Sequence, residues 1–198
     1  MNNLLKGKKG IIFGALDENS IAWKVALKAK EQGAEFVLSN APVALRLGKI
    51  NELAELCDTT VIAADATNVE DLENLFDQAI QKYGKLDFIL HSIGMSPNVR
   101  KNKAYTELNY DWFLKTLDIS ALSFHKVLQV AYQKDALNEW SSVVALTYIA
   151  AQRTFPGYND MAEAKATLES IARSFGYHYG TKKNVSLNTI SQSPTMTT

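Results

Sequence analysis

At 198 residues the chain is long enough for one domain with a sizeable core, and we predict that residues 1–198 form a single domain. Hydrophobic residues make up 46% of the chain and charged residues 21%, which is usual for a soluble globular protein. Lys plus Arg and Asp plus Glu both number 21, so the net charge gives no argument for binding nucleic acid or an anionic membrane.

The cysteine content and the hydropathy of the chain indicate the cellular compartment in which we expect the protein. The single cysteine, Cys57, lies in a stretch with helical periodicity, and we expect it to be a small core residue in a reducing, cytoplasmic setting. Residues 1–9 lack the long apolar run of a signal peptide. No stretch is apolar for long enough to span a bilayer, so we expect no membrane insertion.

Short apolar runs alternate with helical patterns along the whole chain. Strands are predicted at Lys9 to Gly14, Glu35 to Ser39, Thr60 to Ala64, Leu86 to His91, Ser141 to Leu146 and Val185 to Ile190. Helices are predicted at Ile21 to Gly33, Ala44 to Cys57, Val69 to Tyr83, Tyr110 to Gln133 and Tyr158 to Tyr179. This alternation predicts the α/β class, with a Rossmann-type doubly wound parallel sheet whose ligands bind at the carboxyl ends of the strands.

The turn after the first predicted strand, Gly14 to Ala22, leads directly into a helix. Backbone N–H groups at such a helix start favour an anion such as pyrophosphate. Ser20 is also a good N-cap for that helix, which gives it a purely structural alternative. The turn has one glycine where the G-x-G-x-x-G pattern has three, so it is a poor dinucleotide fingerprint by itself.

Two more strand ends carry candidate binding residues. Asp65 follows the third strand, where its carboxylate can either accept a hydrogen bond from an adenine amine or cap the next helix. Ser92 to Gly94 follow the fourth strand and would let a cofactor approach the backbone closely. His91 ends that apolar strand, which favours a hydrogen-bonded structural histidine over an acid–base catalyst. His125 and His178 have no cysteine or carboxylate at ligand spacing, so no metal site is predicted.

The most informative stretch runs from Tyr148 to Lys165. Tyr158 and Lys165 lie seven residues apart where a helix is predicted to begin, so they are expected to share one face of that helix. An ammonium near a phenol is expected to lower the pKa of the phenol, which suits a proton donor or a stabiliser of an oxyanion. Tyrosine and lysine at helical spacing are also common on solvated faces, which is the alternative for this pattern alone.

Taken in order, these features resemble the enoyl-acyl carrier protein reductases of bacterial type II fatty acid synthesis, a branch of the short-chain dehydrogenase/reductase superfamily. The matching stretches are Gly14-x5-Ser20-Ile21-Ala22, Asp65, His91 to Gly94, Asp118-Ile119-Ser120, Tyr148-x9-Tyr158-x6-Lys165 and Asn188 to Pro194. The Tyr-x6-Lys spacing is specific, because most of the wider superfamily has Tyr-x3-Lys and Ala162 stands three residues before Lys165 here.

The resemblance implies an oxidoreductase that transfers hydride from NADH to the β-carbon of a trans-2-enoyl-acyl carrier protein thioester. Tyr158 would hydrogen-bond the thioester oxygen, and Lys165 would hold the nicotinamide ribose. Tyr148 would line the acyl pocket, and Met161 would pack against the substrate. The residues that would contact the cofactor are Gly14, Ser20, Ile21, Asp65, Ala66, Ser92, Ile93, Gly94, Lys165, Ile190 and Thr195.

The choice of NADH over NADPH follows the family's commoner donor. The second strand ends Leu38-Ser39-Asn40-Ala41-Pro42, without the acidic residue expected to hold the adenosine ribose of NAD. No arginine follows at once to accept a 2′-phosphate, although Arg46 and Lys49 come a few residues later.

The chain departs from the family in two ways. Its segment Ser191-Gln192-Ser193-Pro194 stands where the family usually has Ser-Ala-Gly-Pro. The family also continues with a helical substrate flap and a final strand, so we expect this chain to be incomplete at its C-terminus. Related enzymes are usually tetramers, which predicts a homotetramer for the complete protein. Two alternatives stay open: a short-chain carbonyl reductase and a non-catalytic dinucleotide-binding module.

Overall fold

Within residues 3–192, the part of the chain that this computed structural model describes, six parallel strands form one sheet. The strands are β1 (Lys9–Phe13), β2 (Glu35–Asn40), β3 (Thr60–Ala63), β4 (Leu86–His91), β5 (Leu137–Tyr148) and β6 (Ser186–Gln192). Their order across the sheet is β3-β2-β1-β4-β5-β6, and all neighbours run parallel. The winding direction reverses between β1 and β4, where a ligand crevice is expected. The predicted doubly wound α/β fold is confirmed.

Helices cover both faces of this sheet. They are α1 (Ile21–Glu31), α2 (Pro42–Leu47), α3 (Ile50–Leu56), α4 (Val69–Tyr83), α5 (Pro97–Arg100), α6 (Tyr110–Leu117), α7 (Ser123–Gln133) and α8 (Asp160–Lys183). A single π-helical turn, Asp118–Leu122, joins α6 to α7, so the long helix predicted there is continuous. Within the described residues, no helix is long and apolar enough to cross a membrane.

The prediction of one helix from Ala44 to Cys57 is wrong, because the chain forms α2 and α3 there. Gly48 separates them with an extended backbone, at φ −105° and ψ −176°. The N–H of Lys49 donates to the carbonyl of Leu16 at 2.7 Å. A Cβ on Gly48 would lie 2.6 Å from that carbonyl oxygen, so the close approach requires glycine. This contact ties the break to the turn after β1.

Core packing follows from the alternation of side chains along each strand. In β1, Ile11 and Phe13 point to the face covered by α4, α7 and α8, where they pack with residues such as Phe124. Ile12 points to the opposite face and packs with Trp23 of α1 and Leu53 of α3. A strand buried on both faces is the expected reason for its nearly continuous hydrophobic sequence. Because helices cover both faces of the sheet, the carboxyl ends of the strands are the place where a ligand site can form.

Candidate active site

Three aromatic side chains cluster directly after β5. Tyr148 is the last residue of β5, and its ring centroid lies 4.7 Å from that of Tyr158 and 5.3 Å from that of Phe155. Tyr148 is 5% exposed and Tyr158 is half-buried. Ring pairs at these distances are attractive beyond the area they bury. The cluster therefore holds the Tyr158 ring against the end of the sheet.

Tyr158 lies just outside α8, which begins at Asp160 rather than at the predicted Tyr158. The N–H of Tyr158 donates to the carbonyl of Phe155 at 3.2 Å, closing a turn. Asn159 then adopts φ 46° and ψ −138°, which breaks helical geometry between Tyr158 and α8. The expectation that Tyr158 and Lys165 share one face of a regular helix is therefore wrong. This turn, together with the aromatic cluster, sets the position of Tyr158.

Lys165 is buried on α8, with 6% of its surface exposed. Its Nζ donates to the carbonyl of Leu146 in β5 at 2.8 Å. Gly94 lies alongside, because a Cβ placed on Gly94 would be 3.5 Å from Lys165 Nζ and 3.8 Å from Met161 Cε. The structure thus brings Lys165 and Met161 next to the segment that follows β4. Burial lowers the pKa of Lys165 to about 8.

The pKa of Tyr158 moves in the opposite direction from the one expected. Burial raises it to about 12, with a further contribution from Tyr148. The expectation that Lys165 lowers this pKa is wrong for the structure, because desolvation of the phenolate outweighs any attraction to the ammonium. At neutral pH Tyr158 is therefore a neutral phenol whose O–H can donate a hydrogen bond.

The ends of β1 and β4 lie very close together at the reversal point. Gly14 has φ 90°, and a Cβ there would overlap the carbonyl oxygen of Ser92. Its N–H donates to the carbonyl of Ser39 in β2 at 3.0 Å. Glycine is required at this position both for its backbone conformation and for the close approach. Gly14 thus allows the carboxyl ends of β1, β2 and β4 to approach one another closely.

Ser20 organises the turn after β1 but does not cap α1 with its side chain. It occupies the N-cap position without a side-chain capping hydrogen bond, and Ile21 begins the helix. Its Oγ instead accepts from the N–H of Leu16 at 3.2 Å and donates to the carbonyl of Asp17 at 2.7 Å. The simple capping alternative is therefore wrong, and Ser20 shapes the loop in front of the helix.

Asp65 also forms a local turn rather than a helix cap. Its Oδ1 accepts from the N–H and the Oγ1 of Thr67, at 2.9 and 2.7 Å. The following helix is capped by Asn68, whose Oδ1 accepts from two backbone N–H groups. The capping alternative for Asp65 is thus wrong. Ala66 beside it is buried.

Of the other predicted cofactor residues, Ile93 follows β4 and Ile190 lies within β6. Ile190 pairs in register with Leu146 of β5 and is half exposed. Its neighbour Leu146 supplies the carbonyl that binds Lys165. Thr195 and Pro194 lie outside the described residues.

His91 is fully buried at the end of β4. Ser123 Oγ donates to the carbonyl of Ile119 at 2.6 Å, so the hydrogen in the 2.9 Å contact between His91 Nε2 and Ser123 Oγ belongs to the histidine. Burial, and secondarily the charge of Lys165, lower the pKa of His91 to about 3. The predicted hydrogen-bonded histidine is confirmed, and its ring is neutral. Among the described residues, no group of three or more His, Cys, Asp or Glu could hold a metal ion.

A buried carboxylate that the sequence did not indicate follows Tyr158 by two residues, at the start of α8. Asp160 is fully buried, and its Oδ1 accepts from Ser96 Oγ at 2.6 Å. Its Oδ2 accepts from Asn98 Nδ2 at 2.9 Å and from Thr116 Oγ1 at 2.8 Å. We call this set the Asp160 network. An acidic residue in the first turn of a helix is common, so only the tertiary contacts distinguish this one.

Comparison with known proteins agrees with this geometry. A family profile described as Enoyl-(Acyl carrier protein) reductase matches residues 14–198. Enoyl-[acyl-carrier-protein] reductase [NADH] 2 of Rhizobium meliloti is 32% identical over 197 residues, which are 100% of this chain and 72% of that protein. The FabI enzyme of Rickettsia felis, also named as NADH-dependent, is 33% identical over 196 residues, covering 98% of this chain and 74% of that protein.

Solved structures of related proteins superpose closely on this one. The FabI–NADH complex from Alistipes finegoldii has a TM-score of 0.95 and 67% sequence identity, covering 97% of this chain and 68% of that one. FabI from Candidatus Liberibacter asiaticus has a TM-score of 0.90 at 31% identity, covering 98% and 74% of the two chains. With sheet order, strand-end residues and family profile in agreement, the chain belongs to the enoyl-acyl carrier protein reductase family.

Proposed function

We propose that this chain reduces the carbon–carbon double bond of a trans-2-enoyl thioester carried by an acyl carrier protein, with NADH as the hydride donor. The named relatives are enoyl-acyl carrier protein reductases that use NADH. The observation that carries the proposal is that a neutral phenol, Tyr158, and a buried ammonium, Lys165, both lie at the carboxyl end of β5, the first against Tyr148 and the second on the Leu146 carbonyl.

Tyr158 is the proposed donor to the reacting thioester. When hydride is delivered to the β-carbon, negative charge collects on the thioester oxygen. A phenol O–H aimed at that oxygen stabilises the charge more strongly than it stabilises the substrate, which lowers the barrier. The raised pKa of Tyr158 supports this role because the group keeps its proton at neutral pH. Tyr148 packs on its ring and would line the acyl pocket.

Lys165 is the proposed holder of the nicotinamide ribose. Its Nζ has three hydrogens, and one is donated to the Leu146 carbonyl. The remaining hydrogens can donate to ribose hydroxyl oxygens across the surface of Gly94. Met161 borders the same surface and would pack against the substrate. Lys165 would therefore bind and orient the cofactor, and Tyr158 would act on the substrate.

The adenine half of the cleft has residues that fit the rest of the dinucleotide. The loop that Ser20 shapes and the start of α1 at Ile21 would accept the pyrophosphate. Asp65, and beside it Ala66, would contact the adenine.

The preference for NADH over NADPH is supported by the loop after β2. Lys49, one of two nearby cations, forms an ion pair with Glu18 at 3.0 Å. Asn40 donates to the carbonyl of Ala15 at 2.9 Å and accepts from the N–H of Ala41, so its side chain is engaged locally. Arg46 is exposed on α2 and remains the candidate to meet a 2′-phosphate. Comparable rates with NADPH would contradict the preference.

We also propose that the protein acts in the cytoplasm as a homotetramer. An open groove of about 410 Å³ on α7 and α8 supports self-association. Its lining includes Tyr132, His178 and the pair His125 and Phe175, whose rings lie 4.9 Å apart. Aromatic side chains of this kind are enriched at protein interfaces. Light scattering should give the mass of four chains, and a monomer would contradict the assembly.

The test of the reaction is the initial rate of NADH oxidation with and without a trans-2-enoyl thioester of N-acetylcysteamine. We expect oxidation to depend on the enoyl substrate. A matched assay with a ketone substrate distinguishes a carbonyl reductase. NADH binding without oxidation of either kind would instead indicate a non-catalytic dinucleotide-binding module.

A further inference from the structure

The stretch Asp118-Ile119-Ser120 has no part in the proposed reaction, yet it opens the π-helical turn between α6 and α7. Single turns of this kind inside helices are frequent at functional sites. Each of the three residues bonds, directly or through one side chain, to a segment near the carboxyl edge of the sheet. The carbonyl of Ile119, for example, accepts from Ser123, which contacts His91 at the end of β4. The two outer residues connect to opposite ends of the proposed cofactor cleft.

Asp118 is linked to the adenine end through Lys126 of α7. Lys126 Nζ donates to Asp118 Oδ1 at 2.7 Å and to the carbonyl of Thr67 at 2.8 Å. The N–H and hydroxyl of Thr67 both donate to Asp65 Oδ1, so Lys126 holds the turn that orients the Asp65 carboxylate. The N–H of Asp65 donates to Asp71, only six residues away, whereas Lys126 lies 59 residues from Thr67. Of these bonds, the one from Lys126 therefore fixes the turn to a distant part of the fold.

Ser120 is linked to the nicotinamide end. Its residue is fully buried, and its Oγ accepts from the N–H of Met95 at 2.9 Å and donates to the carbonyl of Met95 at 3.1 Å. Met95 directly follows Gly94, whose surface borders Lys165. One buried hydroxyl thus fixes both backbone groups of the residue next to the proposed nicotinamide surface.

We propose that the π-helical turn positions both ends of the dinucleotide, with Lys126 acting on the adenine end and Ser120 on the nicotinamide end. This inference rests on the proposed function, because it concerns how the chain holds NADH. Both are positioning residues, since each fixes a loop that would contact the cofactor. Asp118 and Ser120 lie two residues apart in one turn, so the two loops have a fixed separation. Loops that are ordered in advance lose less freedom when a ligand binds, which raises affinity.

The test of the adenine end is Lys126→Met in the full chain, with NADH and ADP-ribose as ligands in isothermal titration. ADP-ribose carries the adenosine and pyrophosphate of NADH without its nicotinamide. We expect both affinities to fall by the same factor, about 2- to 5-fold, and by no more than in Asp65→Ala. In the Asp65→Ala background, Lys126→Met should have no further effect, because the carboxylate that it positions is gone.

The test of the nicotinamide end is Ser120→Ala with the same two ligands. The affinity for NADH should fall about 2- to 10-fold, as expected when a loop loses a side-chain hydrogen bond. The affinity for ADP-ribose should stay unchanged, which also shows that the variant is folded. A general loosening of the structure would instead weaken both ligands alike and would contradict the proposal.

The matched control is Lys134→Met. Lys134 directly follows α7 and forms an ion pair with Asp77 of α4 at 2.7 Å, with its side chain 25% exposed against 26% for Lys126. It joins the same parts of the fold away from the turn, so its loss should leave both affinities unchanged. An equal loss in this control would overturn the proposal. Additive effects of Lys126→Met and Asp65→Ala would also overturn it, as would unchanged NADH affinity in Lys126→Met or Ser120→Ala.

Binding and turnover together separate this inference from the proposed reaction. The expected pattern of affinities without enoyl-dependent oxidation of NADH by the unmodified chain would contradict the reaction and support the positioning role. Enoyl-dependent oxidation with NADH affinity that does not depend on Lys126 or Ser120 would contradict the positioning role alone. Failure of the unmodified chain to bind NADH would contradict both.

Discussion

Side-chain hydrogen bonds and ring contacts stabilise the half of the cleft around Tyr158, whereas the half around Gly14 is formed largely by backbone contacts and short turns. Two residues after Tyr158, one carboxylate of α8 accepts from Ser96 and Asn98 at α5 and from Thr116 of α6. At the Gly14 end, the strand ends meet through backbone contacts to Ser92 and Ser39. The comparison teaches that the half around Tyr158 is organised by side-chain hydrogen bonds to a buried carboxylate, and the half around Gly14 by close contacts between backbone groups. Mutations should therefore have larger effects in the first half.

The largest effect is expected from Tyr158→Phe. This change removes the O–H donor and keeps the ring that packs on Tyr148. Turnover of the enoyl substrate should fall about 100- to 1,000-fold, as is typical when one oxyanion donor is lost. NADH affinity and the unfolding midpoint should stay near those of the unmodified chain. Near-normal turnover would remove Tyr158 from the mechanism.

The next largest effect is expected from Asp160→Asn, which keeps the shape of the side chain but replaces one acceptor oxygen by a donor. At least one of the three donors around it then loses its partner. The free energy of unfolding should drop by about 1–3 kcal/mol, the usual result of leaving a buried polar group unsatisfied. Denaturant titration measures this drop.

The control for Asp160 is Asp111→Asn, which changes an exposed aspartate in the first turn of α6. It should leave stability nearly unchanged. If Asp160→Asn were as mild as this control, the contrast between the two halves of the cleft would not hold. A lower kcat with unchanged NADH affinity in Asp160→Asn would show that the network positions Tyr158.

A smaller effect should appear in the pH dependence of NADH binding. Burial lowers the pKa of Lys165 to about 8, so its ammonium loses a proton as the pH rises through that value. A charged donor binds ribose oxygens more strongly than a neutral amine, and the affinity should weaken by about 1 kcal/mol above pH 8. Fluorescence titration at several pH values measures this. Lys165→Met should bind more weakly at every pH and lack the step near pH 8.

The smallest effect is expected from Asp65→Ala in the adenine half. This carboxylate is partly exposed and contributes a single proposed contact, so NADH affinity should weaken by about 0.5–1 kcal/mol. Thr67→Val is the matched control, because it removes the hydroxyl that donates to Asp65 Oδ1 in the same turn and leaves the carboxylate in place. An equal loss in both variants would assign the effect to the turn. A fall in NADH affinity of about 100-fold, as large as the fall in turnover expected for Tyr158→Phe, would contradict the comparison.

Sequence periodicity predicted the parallel sheet because its central strands, such as β1 and β2, are largely buried and helices such as α4 have clear amphipathic patterns. It failed at Gly48, where a tertiary contact with Leu16 ends α2. It also placed Tyr158 inside α8, because no local signal marks the conformation of Asn159.

The site chemistry was predictable in its residue types but not in its electrostatics. Tyr158 and Lys165 were predicted as site residues from their spacing together with the family resemblance. The raised pKa of Tyr158 depends on its burial in the folded chain and, secondarily, on the neighbouring Tyr148, neither of which the local sequence indicates. The contacts of Asp160 span positions 44 to 64 residues away, and no pattern within a short window could indicate them.

The backbone of Asn159 also affects how this loop can change during evolution or engineering. Its φ of 46° is uncommon for residues other than glycine, asparagine and aspartate. Because Asn159 connects Tyr158 to α8, the spacing between Tyr158 and Lys165 cannot gain or lose a residue without moving one relative to the other. The preceding loop of residues 152–157 is exposed throughout. Length variation should therefore be tolerated before Tyr158, where loops of related proteins can diversify to reshape the acyl pocket, and rejected after it.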